Sequence, residues 1–321
     1  MRKLTAVTLL GLLLVGGGLW WLGRAPGRAG GAPAAASVPG RLAYASHGSI
    51  YLWSGGHSTR LTFNDHDAGP TLAPDGAQIV FARVDPIGWS DLYSVATGGG
   101  TAQALTNNRP GPASDVGTQA YAANSVWMLQ PSFSADGSRL AFLSDVQTPE
   151  LALWVAGPDA TARRRIAKLD GGIEHPAWSP DGSQIAASTF TRGRAEVWSY
   201  SLADAQWSEV AAPPDGAYDP AWSPDGRLLA YAARTGTATD IWVVPADRST
   251  DPVRLTTNGK ARAPVWSPAR DQIAFIAEHD STFDLYAMSV LSGTTPITAG
   301  APQQITDGAA VDAPSGVSWS R

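Results

Sequence analysis

The 321-residue sequence contains no cysteine, which excludes disulfide frameworks, thiolate zinc sites and thiol nucleophiles. Charged residues make up only 16% of the chain, a low fraction for long salt-bridged helices or coiled coils. Neither a G-x-S-x-G nucleophile motif nor a G-x-x-x-x-G-K-[ST] phosphate-binding loop occurs. The sequence therefore lacks the signatures of α/β-hydrolases and of P-loop nucleotide-binding proteins.

Turn-forming residues and tryptophan are abundant instead. The chain contains 34 glycines, 24 prolines and 13 tryptophans, and 44% of its residues are hydrophobic. This composition is typical of a folded protein with many short elements separated by turns, and it excludes disorder over most of the chain.

The amino-terminal residues predict a membrane anchor. Residues 4–23 form a run of 20 residues without a charge, long enough to cross a bilayer as a helix, and Arg2 and Lys3 precede it. We therefore predict an N-terminal transmembrane helix within residues 1–23, with a cleaved signal segment as the alternative. Both interpretations place the rest of the chain outside the cytoplasm, in the periplasm or at the cell surface. Residues 24–39 are rich in Ala, Gly and Pro and predict a flexible linker.

The charge of the remaining chain argues against nucleic acid as a partner. Residues 1–36 contain four of the 23 Lys and Arg residues and none of the 28 Asp and Glu residues. The rest of the chain therefore carries a formal net charge of −9, which is unfavourable for contact with a phosphate backbone.

A repeat occupies the sequence from residue 40 onwards. Its first marker, P-x-W-S-P-D-G in the fullest form, begins at Pro70, Pro131, Pro176, Pro220 and Pro264. A second marker, an apolar residue followed by an aromatic one, comes later in each unit, and its members Trp198, Trp242 and Tyr286 are spaced 44 and 44 residues apart. Each unit contains four short apolar runs separated by turn residues, which predicts a four-stranded antiparallel meander. Meanders of about 40–50 residues repeated around an axis form a β-propeller.

The two ends of this region complete the last unit. Residues 40–62 supply a second, third and fourth strand without a first, and residues 317–321 supply a first strand. We therefore predict an all-β fold over residues 40–321: a six-bladed β-propeller of four-stranded antiparallel blades, closed by pairing of the C-terminal strand with the N-terminal strands.

The repeat resembles the TolB-type propeller repeat. The likeness rests on PAWSPDGRLLAYAA from Pro220, on Asp240-Ile241-Trp242 and on Arg254-Leu255-Thr256, and it extends over the whole predicted propeller. The resemblance implies a TolB-like six-bladed propeller without the amino-terminal α/β domain of TolB. Related propellers serve as the periplasmic TolB component of the Tol–Pal envelope system, as propeller domains of prolyl-oligopeptidase-like peptidases, and as stand-alone sensors or scaffolds.

One connection departs from the repeat. The span from the fourth-strand marker Leu105 to the first-strand marker Phe133 is 28 residues, whereas the other spans are 11 to 14. The additional residues fall within 107–130 and include Arg109, Asp115, Tyr121 and Trp127. Because long loops often carry function, we predict an ordered loop over the channel mouth that binds a ligand or partner. The alternative is a surface insertion in which Trp127 packs on the blade.

Polar residues also precede the first strands of the units. They are His66, Asp67, Gln130, Glu174, His175, Tyr218, Asp219, Arg262 and Asp312. In a propeller these positions converge on one mouth of the channel. Carboxylates beside imidazoles suit a divalent cation, and an aspartate beside Arg262 suits a polar ligand. The alternative is an ordinary solvated, acidic mouth, and no other cofactor is indicated.

The sequence thus predicts a class of function and leaves alternatives open. The first prediction is a membrane-tethered, non-enzymatic binding or scaffold module whose channel face and 107–130 loop bind a protein, peptide or glycan of the cell envelope. The alternative is a hydrolase or lyase at the channel mouth that uses His66, Asp67, Glu174, His175 and Asp219, with or without a divalent cation. A third hypothesis is an adaptor that uses the outer edges of its blades.

Overall fold

Six antiparallel sheets make up most of the part of the protein that the structure describes. The computed structural model describes residues 38–268, 272–291 and 297–321. Blade 1 contains β1 (Arg41–Ser46), β2 (Ser49–Ser54) and β3 (His57–Arg60), together with the C-terminal strand β25 (Val317–Ser320). From the channel outwards, blade 2 contains β4 (Asp67–Leu72), β5 (Gln78–Asp85), β6 (Trp89–Ala96) and β7 (Gln103–Ala104); blade 3 contains β8 (Met128–Phe133), β9 (Leu140–Ser144), β10 (Ala152–Ala156) and β11 (Arg164–Ala167).

The other three blades follow the same plan. Blade 4 contains β12 (Ile173–Trp178), β13 (Gln184–Thr189), β14 (Glu196–Ser201) and β15 (Gln206–Ala211); blade 5 contains β16 (Ala217–Trp222), β17 (Leu228–Thr235), β18 (Ala238–Pro245) and β19 (Val253–Arg254). Blade 6 contains β20 (Ala261–Trp266), β21 (Gln272–His279) and β22 (Thr282–Leu291), with the short strands β23 (Thr298–Ala299) and β24 (Gln303–Gln304) both paired to β22.

The C-terminal strand closes the ring. β25 pairs antiparallel with β1, and Trp319 lies opposite Leu42. The innermost strands contact one another around the channel, with β25 next to β4 on one side and β20 on the other. The predicted six-bladed architecture and its closure are therefore confirmed.

The hydrophobic core lies between the blades. The buried apolar side chains form six clusters, and each joins two neighbouring blades. The inner-strand tryptophans contribute to these interfaces: Trp178 of blade 4 donates its Nε1–H to the carbonyl of Ser132 in blade 3 (3.1 Å). Large aromatic side chains thus fill the wedge between neighbouring sheets.

Ser-Pro-Asp-Gly turns connect the inner strand to the second strand in blades 4 and 5, and close variants of this turn do so in blades 2 and 3. In blade 4, Gly182 has a φ of +67°, which favours glycine, and Asp181 accepts hydrogen bonds from the Ser179 hydroxyl (2.6 Å) and the Ser183 amide (3.0 Å). These hydrogen bonds lower the pKa of Asp181. Arg139 of blade 3 donates to the Gly182 carbonyl (3.0 Å), so the turn also ties two blades together.

Two predictions concern segments outside the regular blades: the amino-terminal residues and the connection between β7 and β8. The predicted transmembrane helix (within 1–23) and residues 24–37 of the predicted linker lie outside the described residues. Among the residues that are described, no helix is long and apolar enough to span a bilayer. The segment between β7 and β8, predicted to be a loop, contains a 3₁₀ turn (Ala113–Asp115) and the short helix α1 (Gln119–Asn124). The helix begins after Thr118, whose hydroxyl accepts a hydrogen bond from the Tyr121 amide (3.1 Å) and so caps the first turn.

Candidate functional site

Six equivalent backbone positions form a ring at one mouth of the channel. Each lies at or just before the start of the channel-lining part of an inner strand, and each has a positive φ between +50° and +70°: Gly69, Gln130, His175, Asp219, Ala263 and Gly316. In blades 2 to 6 the strand register shifts at this position, so a β-bulge is present. A residue other than glycine is strained there by about 1 kcal/mol.

The ring is polar on one side only. The channel is a cavity of about 630 Å³, and the ring residues Gln130, His175 and Asp219 on neighbouring blades 3, 4 and 5 line it. The remaining ring positions lie on blades 2, 6 and 1 and are occupied by two glycines and an alanine. One half of the ring therefore presents hydrogen-bonding side chains, and the other half presents two glycines and a methyl group.

The His175 imidazole lies across the mouth. Its Nδ1 is 3.2 Å from Oδ1 of Asp219, and its Nε2 is 3.2 Å from the carbonyl oxygen of Pro314. Pro314 belongs to a 3₁₀ turn (Ala313–Ser315) that leads into β25 of blade 1, opposite blade 4 in the ring. Gln130 fixes the backbone from the other side, since its Oε1 accepts the His175 amide (2.7 Å). The side-chain nitrogen of Gln130 also lies near the imidazole, 3.4 Å from Nε2.

Asp219 anchors this arrangement. It is 5% exposed and accepts hydrogen bonds from Arg262 (Nη2–Oδ2, 3.1 Å) and from the amide of Ala263 (3.1 Å). Burial raises the pKa of Asp219, but the charges of Arg262 and His175 and the hydrogen bonds outweigh it, so the pKa lies below its usual value. The carboxylate is therefore ionised and holds Arg262 and His175 on either side.

Several predicted mouth residues have other roles. Asp67 is buried and ion-paired to Arg83 (2.7 Å), which lies opposite it in β5. Asp312 accepts the backbone amides of residues 47 and 48 (3.1 and 2.9 Å) and so holds the turn before β25. Tyr218 packs against the cluster between blades 5 and 6, and His66 is exposed.

The predicted acid–base cluster comes together in part. Glu174 is 44% exposed, and its Oε2 lies 4.0 Å from Nδ1 of His175. Glu174, His175 and Asp219 are thus adjacent, whereas Asp67 is already paired within blade 2. In the described parts of the chain, no group of three or more His, Asp or Glu side chains is placed to hold a metal ion.

The long segment contacts the third strand of blade 2 and the end of the second strand of blade 3. The Val126 carbonyl accepts the amide of Ser90 at the start of β6 (3.0 Å), and the Trp127 amide donates to Asp145 of blade 3 (2.8 Å). Trp127 is partly buried in the cluster between these blades, and Tyr121 is only 4% exposed. Arg109 and Asp115 are exposed. Of the described residues 107–130, Gln130 is the one that lines the channel.

Sequence reasoning missed the bare half of the ring and the bridge to Pro314. Gly69 and Ala263 immediately precede inner-strand prolines, as the three polar ring residues do, so this position was identifiable in the aligned repeats. The bridge had no such signal, because His175 and Pro314 are 139 residues apart and meet only when the ring is closed.

Comparisons with known proteins agree with this architecture. Residues 117–317, more than half of the chain, match the family described as "TolB beta propeller domain" (PD40). The crystal structure of TolB from Acinetobacter baumannii is similar with a TM-score of 0.65 at 14% identity, covering 89% of this chain and 68% of that chain. A chain of a nidogen/laminin complex has a TM-score of 0.60 at 10% identity, covering 87% of this chain and 97% of that chain. At these identities the likeness shows a shared fold.

One curated relative was found by sequence. A segment of 123 residues is 26% identical to "Uncharacterized peptidase YuxL" of Bacillus subtilis (strain 168). The match spans 36% of this chain and 16% of that protein, far less than two thirds of its length. The family match, the repeat and the six closed blades together show that the chain belongs to the TolB beta propeller domain family.

Proposed function

We propose that the protein is a non-enzymatic binding module that holds a segment of a protein, peptide or glycan at the His175 end of its channel. The asymmetry of the ring carries the proposal. On blades 3 to 5 the polar side chains are held in place: Gln130 accepts the His175 amide, the His175 imidazole lies 3.2 Å from Asp219, and Asp219 accepts from Arg262. They therefore lose little entropy when a ligand binds. On the opposite side, two glycines and an alanine leave room for a ligand to approach the backbone.

The charges at the mouth favour a polar ligand. Glu174 and Arg262 have side chains that are 44% and 32% exposed, and they lie on either side of the His175–Asp219 pair. A peptide backbone or a sugar offers donors and acceptors to such a mixed surface. The exposed Arg109 and Asp115 belong to the segment that leads from β7 to the ring residue Gln130, and they extend the surface available to a large partner.

Site-specific photocrosslinking in native membranes tests the proposal. The full chain would carry a photoreactive amino acid at Glu174, and a matched sample would carry it at Ser183, an exposed turn residue at the opposite end of the channel. We expect one partner to be captured from Glu174 and not from Ser183, and His175→Ala to reduce that capture at least tenfold. Equal capture from both positions, or capture that His175→Ala leaves unchanged, would contradict the proposal.

The contribution of the long segment (residues 107–130) is tested by a separate pair of substitutions. Deleting the segment would remove the buried Tyr121 and the contact between Val126 and β6, so substitution is the better test. Arg109→Ala with Asp115→Ala changes two exposed side chains and leaves the packing intact. We expect weaker capture from Glu174; unchanged capture would remove the segment from the recognition surface.

A hydrolase or lyase is the second candidate, because an imidazole and a carboxylate form a pair at a cavity wall. The His175 Nδ1–Asp219 Oδ1 distance of 3.2 Å is that of an oriented catalytic base. However, Nε2 faces the Pro314 carbonyl rather than a hydroxyl nucleophile. An enzyme should lose turnover of ester, peptide or glycan substrates when Glu174, His175 and Asp219 are all substituted, whereas a binding module should show no turnover before substitution.

We further propose that residues 1–23 tether the propeller to a membrane with residues 40–321 outside the cytoplasm. The uncharged run of residues 4–23 supports this proposal. Membrane fractionation followed by protease treatment of intact cells and spheroplasts tests it. Recovery of the full chain in the soluble cytoplasmic fraction would contradict it.

A further inference from the structure

The third strands of four blades carry a buried carboxylate at the same register. These residues, each at most 3% exposed, are Asp91, Glu196, Asp240 and Asp284. In blades 2, 5 and 6 the carboxylate accepts a hydrogen bond from a threonine that follows the fourth strand, namely Thr106, Thr256 and Thr306. The D-[IL]-[WY] and L-T or I-T markers of the repeat are therefore two halves of one buried hydrogen-bonded unit.

In blade 5 an arginine completes this unit. The Nη2 of Arg254 donates to Oδ2 of Asp240, and its Nε donates to the carbonyl oxygen of Thr256 (2.9 Å). In blade 4, Glu196 is instead ion-paired with Arg192 (3.5 Å) and Arg194 (3.2 Å). Guanidinium groups from the chain itself thus compensate two of the four buried charges.

Blade 1 repeats the arginine geometry with Ser49 in place of the buried acid. Arg60 donates from Nε to the Thr62 carbonyl (2.8 Å) and from Nη2 to the Ser49 hydroxyl (2.7 Å), and Nη2 is also ion-paired with the exposed Asp65 (3.1 Å). The position is therefore shaped for a guanidinium in more than one blade, whether the deeper partner is a carboxylate or a hydroxyl.

Blade 2 has the acceptors but lacks the arginine. Ala104 pairs with Tyr93 in the same register in which Arg254 pairs with Trp242 in blade 5. In place of the arginine side chain there is an open cavity of about 500 Å³, whose lining includes Asp91, Tyr93, Ala104 and Thr106. We call it the blade-2 rim cavity.

Asp91 is poorly compensated at this cavity. Its Oδ1 accepts the Thr106 hydroxyl and the Asn108 amide (2.9 Å), and no Lys or Arg of the described chain forms an ion pair with it. Burial raises the pKa of Asp91, and hydrogen bonds from Thr106 and Asn108 and the more distant charge of Arg163 only partly oppose this effect. In blade 6, Asp284 also has no arginine partner among the described residues, but its Oδ2 accepts a hydrogen bond from the amide of Gly308 (3.1 Å).

The surroundings of the cavity are compatible with an inserted cation. Asp85 and Trp89 contribute a second carboxylate and an aromatic surface to the lining. Arg83 lies 4.2 Å from the Tyr93 ring centre but is ion-paired to Asp67, and the exposed Arg109 stands at the entrance without an ion-pair partner among the described residues. The lining residues therefore carry one net negative charge, which a single guanidinium neutralises.

We propose that the blade-2 rim cavity binds the guanidinium group of an arginine residue in a partner polypeptide. Oδ2 of Asp91 and the carbonyl oxygen of Thr106 accept its N–H groups, in the arrangement that Arg254 makes with Asp240 and Thr256 in blade 5. The site is separate from the channel mouth and goes beyond the function proposed above. Its failure leaves the channel-mouth proposal intact, and the reverse also holds.

Ligand-observed NMR of the full-length protein tests the site. The probes are Nα-acetyl-arginine amide, the isosteric but uncharged Nα-acetyl-citrulline amide, and methylguanidinium. We expect saturation transfer to the capped arginine and none to the citrulline probe. Asp91→Asn and Ala104→Arg should each reduce the arginine signal at least tenfold, while the equivalent charge removal in blade 5, Asp240→Asn, should not. Equal signals from arginine and citrulline, or binding that Asp91→Asn leaves unchanged, would overturn the proposal.

The third probe distinguishes the source of the guanidinium. An arginine residue brings backbone atoms to the rim, so the capped arginine should bind more tightly than methylguanidinium. If methylguanidinium binds as tightly, a small guanidinium compound rather than a polypeptide is the ligand, and that part of the proposal is wrong.

Thermal unfolding provides an independent test that needs no ligand. Ala104→Arg supplies the missing side chain, and we expect the melting temperature to rise by about 2 °C or more. Ala104→Leu fills the same space without donors and should produce no rise. A lower melting temperature for Ala104→Arg, or an equal rise for Ala104→Leu, would show that the cavity is not shaped for a guanidinium.

Discussion

The strand that closes the propeller depends on one large side chain, and its removal is the most direct test of the architecture. Trp319 is 8% exposed, lies opposite Leu42 in the β25–β1 pair, and donates its Nε1–H to the Pro39 carbonyl (2.7 Å). It belongs to the cluster that joins blade 6 to blade 1. We predict that Trp319→Ala destabilises the whole ring, because this cluster connects the last blade of the chain to the first.

The expected loss can be estimated from the burial of this side chain. Replacing a buried tryptophan by alanine costs about 3–5 kcal/mol, a large part of the 5–15 kcal/mol by which a typical domain is stable. The entropy of unfolding is about 2.1 cal/mol/K per residue, or roughly 0.6 kcal/mol/K for a folded unit of this size. The melting temperature should therefore fall by about 5–8 °C.

Differential scanning calorimetry of the full chain measures this change, with Trp207→Ala as the matched control. Trp207 lies on the outermost strand of blade 4, is partly buried, and contacts Tyr200 with a ring-centre separation of 5.2 Å. We expect Trp207→Ala to cost less than half as much as Trp319→Ala. The reasoning is refuted if Trp207→Ala costs as much, or if Trp319→Ala produces an early, separate transition while the remaining blades melt at the wild-type temperature.

Three further substitutions test the local interactions. The cationic neighbours and hydrogen bonds of Asp219 lower its pKa more than burial raises it. Its ionised form therefore stabilises the fold above about pH 4, the pKa of an unfolded aspartate, and this contribution is lost as the pH falls through the lower pKa of the folded state. Urea unfolding at several pH values should therefore show a flatter acid limb for Asp219→Asn, and an acid limb identical to wild type would contradict this. Asp240→Asn weakens the buried ion pair with Arg254 and should lower the free energy of unfolding in urea by about 2–3 kcal/mol. A loss below about 0.5 kcal/mol, roughly that of a surface substitution, would argue against a stabilising role for the buried carboxylate and its arginine. Gly182→Ala should cost about 1–2 kcal/mol in thermal unfolding, since φ is +67° and the new Cβ would lie 2.3 Å from Nη2 of Arg139; an unchanged melting temperature would count against this.

The six blades were predictable from the sequence because each marker of the repeat has a local physical cause. The proline, aspartate and glycine around Asp181 define a turn, and the tryptophan three residues before that aspartate fills the wedge between blades. These interactions involve residues close in sequence or in the next unit. Their recurrence at a spacing of 44 residues was therefore sufficient to predict six blades and the closure by residues 317–321.

The partners of the polar residues were less predictable, because each had several candidates. Asp67 and Asp219 both lie within three residues of an inner-strand proline, yet Asp67 is bound by Arg83 from the adjacent strand and Asp219 by Arg262 from the next blade. The difference depends on which arginine reaches each carboxylate. For the segment before β8, the capping threonine Thr118 was a visible helix signal, but a helix of six residues has too few turns to give a periodic pattern.

The ring at the channel mouth shows where the side chains depart from what the backbone of the repeat favours. At two of its six positions glycine meets the backbone requirement without strain, which shows that glycine is compatible with the bulge. Gln130, His175 and Asp219 adopt the same strained φ, at about 1 kcal/mol each, and fold stability alone would favour glycine there. Their hydrogen bonds to one another and to Arg262 offset that cost, but they do so by holding polar atoms at the wall of an open cavity. Ala104 departs from the repeat in the opposite way. Blade 5 has an arginine at this position, whereas in blade 2 the alanine leaves a cavity next to the buried carboxylate of Asp91. Neither feature is required to build a blade, and the two binding proposals rest on these two features.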